Sequence, residues 1–433
     1  MSVSGAEPAC DPPARLDPGM FGRFDAEHAA GRPIGIALSG GGDSTALLHL
    51  AAERYGAEAL RAATLDHGLR QGSAQEARLA AARCARIGIA HETLFWNGRA
   101  ATGNLQDAAR RARYTALARW ARGAGIALVA LGHTRDDNAE TLLMGLSRGA
   151  GLDGLSGMRR DFTRDGCLFL RPLLDCSRAG LRAFLVERGL GWSEDPGNTD
   201  TRFDRIKARR ALEAMAPLGI DAATLARSIA NLRGSRLAID ERIAAWSRDH
   251  VIADRGDLLI DAPALGRLPD DLVRRLLGAG LRWISGRDYP PRAAALLDAA
   301  GALLAAENRE APPGRRSLHG CLLQVARGRL RLSREPAAAL RAPARPAGTV
   351  WDGRWIIEGA APAGAMTRAL GEAGLADCPA WRETGLPRGS LLASPSLWQG
   401  DRLLAAPLAR PDSQRRAVMA GNRDDFTATL LSH

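Results

Sequence analysis

The chain has 433 residues, 46% of them hydrophobic and 25% charged, which is enough for two or three globular domains with substantial cores. No apolar run reaches membrane-spanning length and the first twenty-odd residues lack the basic-then-apolar order of a signal peptide, so the chain reads as cytoplasmic with no membrane partner. A formal net charge of +11 suits a polyanionic partner such as nucleic acid; however, every basic residue except Lys207 is Arg, a bias that genome base composition also produces.

Six cysteines, at 10, 84, 167, 176, 321 and 378, form no C-x-x-C pair. That spacing disfavours a zinc ribbon, a thioredoxin-type site and any cluster that needs close thiolates. Reduced thiols fit the cytoplasm.

Residues 1–25 read as a disordered extension. The first strong element is the apolar run Ile34 to Leu38, which breaks into Ser39-Gly40-Gly41-Gly42-Asp43-Ser44 and restarts with helix formers from Thr45. A strand that feeds a glycine loop and then a helix brings free N–H groups and the positive helix end to one point. Glycines there let an anion approach the backbone. Ser39 and Ser44 add hydroxyl donors, and Asp43 can hold Mg²⁺ against a di- or triphosphate. The same glycines could also serve only a tight turn. The loop has neither a Walker A lysine nor Gly-x-Gly-x-x-Gly spacing. It resembles the PP-loop of ATP pyrophosphatases, which split ATP into AMP and pyrophosphate.

Further along, Leu60 to Leu65 predicts a strand that ends in Asp66-His67-Gly68-Leu69-Arg70, followed by a helix over 74–87 and a strand over 91–96. An amphipathic helix runs through Gln106 to Leu117. Arg110 and Arg113, three apart, share one of its faces, which suits either a phosphate clamp or a solvated surface. The strand Ile126 to Leu131 runs into Gly132-His133, and a helix starts near Asp137 with Glu140 one turn in. Alternating strands and helices with apolar strands mean a parallel sheet covered on both faces, whose ligands sit at strand C-terminal ends. Ser39 to Ser44, Asp66-His67 and His133 to Asp137 should therefore line one crevice. Asp66 also suits a plain turn, and Asp136 or Asp137 a plain helix cap. The glycine-rich stretch Ser147 to Met158 suits a flap or a passive linker.

The ordered set SGGGDS, DHGLR, AARRARY, GHTRDDNAETLL, SRGAGLDGLSGM, RPLL at 171–174 and WSEDPGNTD at 192–200 resembles the tRNA(Ile)-lysidine synthase family across about residues 30–215. There are two departures: Ile206 stands where the family usually has Asn, and Asn138 where it often has Gln, as a shorter amide expected to cap similarly.

The resemblance implies a PP-loop, Rossmann-like α/β catalytic domain over 26–215. After it, helical periodicity and composition predict a mainly helical domain over 216–335, a Pro/Ala/Arg linker over 336–349 and a small mixed α/β domain over 350–433, and the resemblance implies that these regions help hold the tRNA. It further implies ATP and Mg²⁺, with free lysine and an isoleucine tRNA bearing a wobble cytidine as partners. The oligomeric state is open, a homodimer being one option. Ser39, Gly40, Gly41, Gly42, Asp43, Ser44, Asp66 and His67 would bind ATP, and Asp43 and Asp137 would sit near Mg²⁺. Arg110 and Arg113 would hold the α-phosphate or the cytidine, and His133 would carry a proton on the strength of its ordinary pKa near neutrality. Glu140, Arg148, Glu194, Asp195, Arg205 and Arg209 would face substrate or tRNA. Rival readings are another PP-loop enzyme such as a tRNA thiolase, which normally needs paired cysteines, and a non-catalytic RNA-binding relative. Beyond the resemblance, helical periodicity runs from about Leu212 to Ile243, over 272–283 and over 292–304, and Leu318 to Leu332 alternates as a hairpin around Gly328.

Overall fold

The computed structural model describes residues 21–66, 68, 72–96, 105–193, 204–287, 289–307, 314–421 and 425–431. They fall into two compact units divided at Arg236/Leu237. Among the described residues no helix is long and apolar enough to cross a membrane.

The first unit is built on a six-stranded sheet. Helix α1 (Gly22–Ala29) leads into β1 (Ile34–Ala37), α2 (Gly42–Tyr55), β2 (Leu60–Asp66), α3 (Ser73–Arg86), β3 (Ala90–Phe95), α4 (Leu105–Gly123), β4 (Leu128–Leu131) and α5 (Arg135–Leu146). A single turn α6 (Leu152–Leu155), the hairpin β5 (Asp161–Arg164) and β6 (Cys167–Leu170), and helices α7 (Arg178–Glu187) and α8 (Asp204–Met215) complete it, with α9 (Ala222–His250) containing the division between units. The strand order is β3-β2-β1-β4-β6-β5, parallel except for the edge strand β5. The β5–β6 turn uses Asp165 and Gly166, both at positive φ, which matches the twist of an antiparallel pair.

Every residue of β1 and β4 is buried, as central strands covered on both faces require. One layer of core joins Ile34 and Ile36 to Leu47, Leu48 and Leu181, and the other joins Ala37 and Val129 to Tyr114, Leu117 and Phe169. The chain winds from β1 outward to β3, then crosses back to place β4 on the other side of β1. That reversal opens a crevice at the C-terminal ends of β1 and β4.

The α/β class with a parallel sheet is as expected from the sequence. Residues 1–20 lie outside the described residues, but 21–25 do not belong to an extension, because Phe21 and Phe24 are buried against Tyr55.

In the second unit, the helices Asp270–Ser285 and Ala293–Glu307 fall where periodicity places them. Periodicity beyond the expected hairpin did not reveal the rest of a five-stranded antiparallel sheet, formed by Val251–Asp254, Asp257–Asp261, Arg315–Leu318, Cys321–Ala326 and Arg329–Arg334. Residues 336–349 are not a bare linker: Pro336–Leu340 is helical with Ala338 and Ala339 buried, and Arg345–Pro346 pairs with Met366–Ala369. A four-stranded sheet and a two-stranded ribbon occupy the remainder.

Candidate active site

A cleft of about 520 Å³ lies at the strand ends, lined on one side by Ser39 and Gly41 to Ser44 and on the other by Arg113, His133, Asp137, Arg178 and Arg205. Gly41 caps α2, and the Ser44 hydroxyl closes the loop on itself by donating to Gly41 O at 3.1 Å while accepting from Ser39 N at 3.2 Å. Gly132 lets β4 come close to this helix start, since a Cβ there would stand 2.9 Å from Ser44 Cα. The first-turn N–H groups of α2, with Asp43 among them, thus face a cavity at the positive end of a 14-residue helix.

Opposite the loop, acids and arginines interlock. Thr134 caps α5 and Asp137 reaches back to Thr134 N at 2.8 Å, a reciprocal capping box that fixes the carboxylate. Arg178, the first residue of α7, donates to Asp137 Oδ1 at 2.7 Å, Glu140 Oε1 at 3.2 Å and Asp43 Oδ2 at 3.4 Å. Arg205 and Arg209 from α8 add bonds to Glu140 at 2.8 and 3.0 Å, and Arg205 also pairs with Asp137. Burial alone would raise the Asp137 carboxyl, but Arg205 and Arg178 outweigh it and hold it below its ordinary value. Asp43 goes the other way: burial pushes its carboxyl up to about 6, Arg178 opposes this, and the Asp137 charge adds to it.

Asp43 Oδ1 is buried with no hydrogen-bond partner among the described residues. An orphaned carboxylate oxygen beside a phosphate-sized cradle fits Mg²⁺, which binds through one or two carboxylates plus substrate phosphate oxygens. Among the described residues no group of three or more His, Cys, Asp or Glu could hold a metal by itself. Phosphate would therefore have to supply the remaining ligands.

The third side is cationic. Arg113 is half-buried in the cleft wall, and among the described residues no carboxylate pairs with it. Burial lowers its pKa, so an anion seated there would be welcome. Arg110 lies over the Tyr114 ring at 5.3 Å. Burial would raise the Tyr114 phenol, yet Arg110, Arg171 and Arg113 bring it below its ordinary value. Arg171 donates from Nε to His133 Nδ1 at 3.1 Å. A guanidinium cannot accept, so Nδ1 is the bare nitrogen and Nε2 carries the hydrogen.

Residues 21–215 match the family model of the PP-loop domain. A tRNA(Ile)-lysidine synthase of Ruegeria pomeroyi is 46% identical over 404 residues, spanning 93% of this chain and 94% of its own length. The chain belongs to the tRNA(Ile)-lysidine synthase family. The family's enzyme from Bradyrhizobium diazoefficiens is 38% identical over 334 residues, 72% of this chain and 92% of its own. Among solved structures, the U34-tRNA thiolase NcsA of Methanococcus maripaludis, with its [4Fe-4S] cluster, covers 46% of this chain and 71% of its own at 18% identity, with a TM-score of 0.41.

Of the residues expected from this family's motifs, Ser39, Gly41, Gly42, Asp43, Ser44, Arg110, Arg113, His133, Asp137, Arg205 and Arg209 line the cleft together. Gly40 and Glu140 are buried, Glu140 at 1% exposed, and neither belongs to the cleft lining. Asp66 lies at the turn after β2, where its Oδ1 accepts from Gly68 N at 3.0 Å and Ser73 Oγ at 2.6 Å. Arg148 is exposed and pairs with Asp204 outside the cleft. His67, Glu194 and Asp195 lie outside the described residues.

Two expectations need correction. His133 does not have a pKa near neutrality, because burial and Arg171 hold it well below the usual imidazole range, so it is a neutral hydrogen-bond donor. Asn138 does not cap its helix; its Oδ1 accepts from Met158 N at 2.7 Å and pins the glycine-rich segment. Ile206, at the usual Asn position, is buried at the cleft wall. Arg178 and Arg171 were missed as site residues. Arg171 stood inside the RPLL motif without an assigned role, whereas nothing in the sequence links Arg178 to Asp43, 135 positions away.

Proposed function

We propose that this chain joins the ε-amine of free lysine to C2 of the wobble cytidine of an isoleucine tRNA, with ATP converted to AMP and pyrophosphate. Cytosine O2 is a poor leaving group, so direct displacement by an amine is slow. Attack of that oxygen on the ATP α-phosphorus expels pyrophosphate and turns it into part of a good leaving group. The lysine amine then attacks C2, loses a proton, and AMP departs with the oxygen.

The loop from Ser39 to Ser44 receives the β- and γ-phosphates, where preset donors meet the charge that builds on the departing pyrophosphate. Asp43, with Asp137 beside it, would hold Mg²⁺, which when bound screens phosphate charge. Arg113, lacking an acid partner among the described residues, is placed to hold the α-phosphate or the cytidine. His133 offers Nε2–H as a neutral donor to an oxygen that gains charge in the same step. Asp137 and Glu140 set the positions of Arg178, Arg205 and Arg209 around them. Thiolation finds no support: Cys84, Cys167, Cys176, Cys321 and Cys378 are free and buried. Burial pushes the first three up to about 11, away from the reactive thiolate.

The observation that carries this reading is the phosphate cradle beside the orphaned Asp43 oxygen, in a chain that a tRNA(Ile)-lysidine synthase matches over 93% of its length. The test is mass spectrometry of nucleosides from isoleucine tRNA incubated with the protein, ATP and lysine. Lysidine should appear only when all three are present; a cytidine left unmodified while ATP is consumed would refute the assignment.

A further inference from the structure

The weak point of a glycine-rich loop is its peptide planes. In a planar trans peptide the C=O and the next N–H point in opposite directions, so the Gly40–Gly41 plane can offer the cleft either a donor or an acceptor, but not both. With glycine on both sides and Gly40 at φ +84°, the opposite orientation meets no Cβ. An oxygen turned toward a triphosphate would repel it.

In this structure the Gly40 carbonyl is held by three donors. It accepts from Ser193 N at 2.9 Å, from Arg83 Nη1 at 3.0 Å and, more loosely, from Thr45 Oγ1 at 3.4 Å. Arg83 comes from the third helix, 43 positions along the chain, and its Nη2 also donates to Ser193 Oγ at 3.3 Å. The guanidinium is half-buried, and among the described residues no carboxylate pairs with it. Its fork is spent on one carbonyl and one hydroxyl, and a charged donor holds a carbonyl about twice as strongly as a neutral one.

We propose that Arg83 is a positioning residue for the phosphate loop: by gripping the Gly40 carbonyl, it keeps the Gly41 N–H aimed at the nucleotide's β- and γ-phosphates. This rests on the reading of Ser39 to Ser44 as the phosphate cradle. It adds that the cradle is set from α3 and from Ser193 as well as by the loop's own Ser44. Trp192, next to Ser193, stands 3.5 Å from where a Gly42 Cβ would be, so the same clamp seats an indole against the loop.

The test is calorimetric titration of the full-length protein and its Arg83→Met, Arg83→Gln and Arg83→Lys variants with ATP in the presence of Mg²⁺, and separately with AMP. AMP lacks the phosphates the loop would hold. Arg83→Met should weaken ATP binding by about tenfold, the loss of one charge-assisted hydrogen bond, and leave AMP within about twofold. Arg83→Lys, which keeps a charged donor, should recover much of the loss, and Arg83→Gln less. Equal weakening of ATP and AMP would mean a structural staple only and would overturn the proposal, as would ATP binding unchanged in Arg83→Met. If Arg83→Met does not fold, the ordering of Lys over Gln for ATP but not AMP decides the matter. The binding readout needs no tRNA: a protein that forms no lysidine yet shows this pattern would reject the tRNA reaction and keep the role of Arg83.

Discussion

Replacing Asp43 with Asn should make the nucleotide-free protein more stable and catalytically inert. Burial pushes the Asp43 carboxyl up to about 6 from an ordinary 3.8, even with Arg178 beside it. A rise of that size corresponds to about 3 kcal/mol of destabilisation by the ionised form, of which the Asn amide, itself needing partners, should recover about 1 to 3 kcal/mol. The sign follows from which state holds the proton more tightly. Below the ordinary carboxylate pKa both folded and unfolded chains are protonated and the penalty is nil; it grows as pH rises toward 6 and is complete above. Arg178 keeps Asp137 and Glu140 as partners, so removing the Asp43 charge strands no cation. Urea denaturation in EDTA at pH 4 and pH 7.5 measures the effect: the variant should gain stability at pH 7.5 and not at pH 4. No gain at pH 7.5, or an equal gain at both, would refute the reasoning. With Mg²⁺ and ATP added, wild type should be stabilised by ligand and the variant should not, and lysine-dependent AMP release should vanish while tRNA binding persists.

Glu140→Ala strips the shared partner from Arg178, Arg205 and Arg209 and should lower stability by about 3 kcal/mol, with Glu140→Gln losing less; chemical denaturation reads the difference. Gly132→Ala puts a Cβ 2.9 Å from Ser44 Cα, so the start of α2 must shift, and KM for ATP should rise about tenfold or more while the chain still folds. Because His133 is held neutral, the wild-type rate should show no histidine limb between about pH 6.5 and 8. Arg171→Met should raise the His133 pKa toward the usual imidazole range, and NMR titration of the His133 ring in the two proteins checks this.

The parallel part of the first unit was legible because β1, β2 and β4 are short, largely apolar and end beside a glycine or an acid, whereas the polar edge strand β5 and its partner β6 gave no such signal. Strand ends also gathered most of the cleft: Ser39 to Ser44 and His133 to Asp137 follow β1 and β4 directly. What stayed hidden depends on distance in the chain. Arg178 and Arg83 reach the loop from helices whose local sequence says only that they are helical, and a guanidinium on a helix face looks the same whether it meets solvent or an acid. The His133 pKa was misjudged for a similar reason, since its burial and the Arg171 bond exist only after β4 and β6 pair. In the second unit, the strands Val251–Asp254 and Asp257–Asp261 are four and five residues long between strong helices, too short for alternation to stand out.

The three-way grip of Arg178 on Asp43, Asp137 and Glu140 also has a bearing on synthesis. A nascent chain emerging from the ribosome displays the two halves of the triphosphate pocket long before the arginine that reconciles their like charges leaves the exit tunnel. Until then no cation among the described residues bridges Asp43 to Asp137, so a half-made polypeptide should be a poor ATPase.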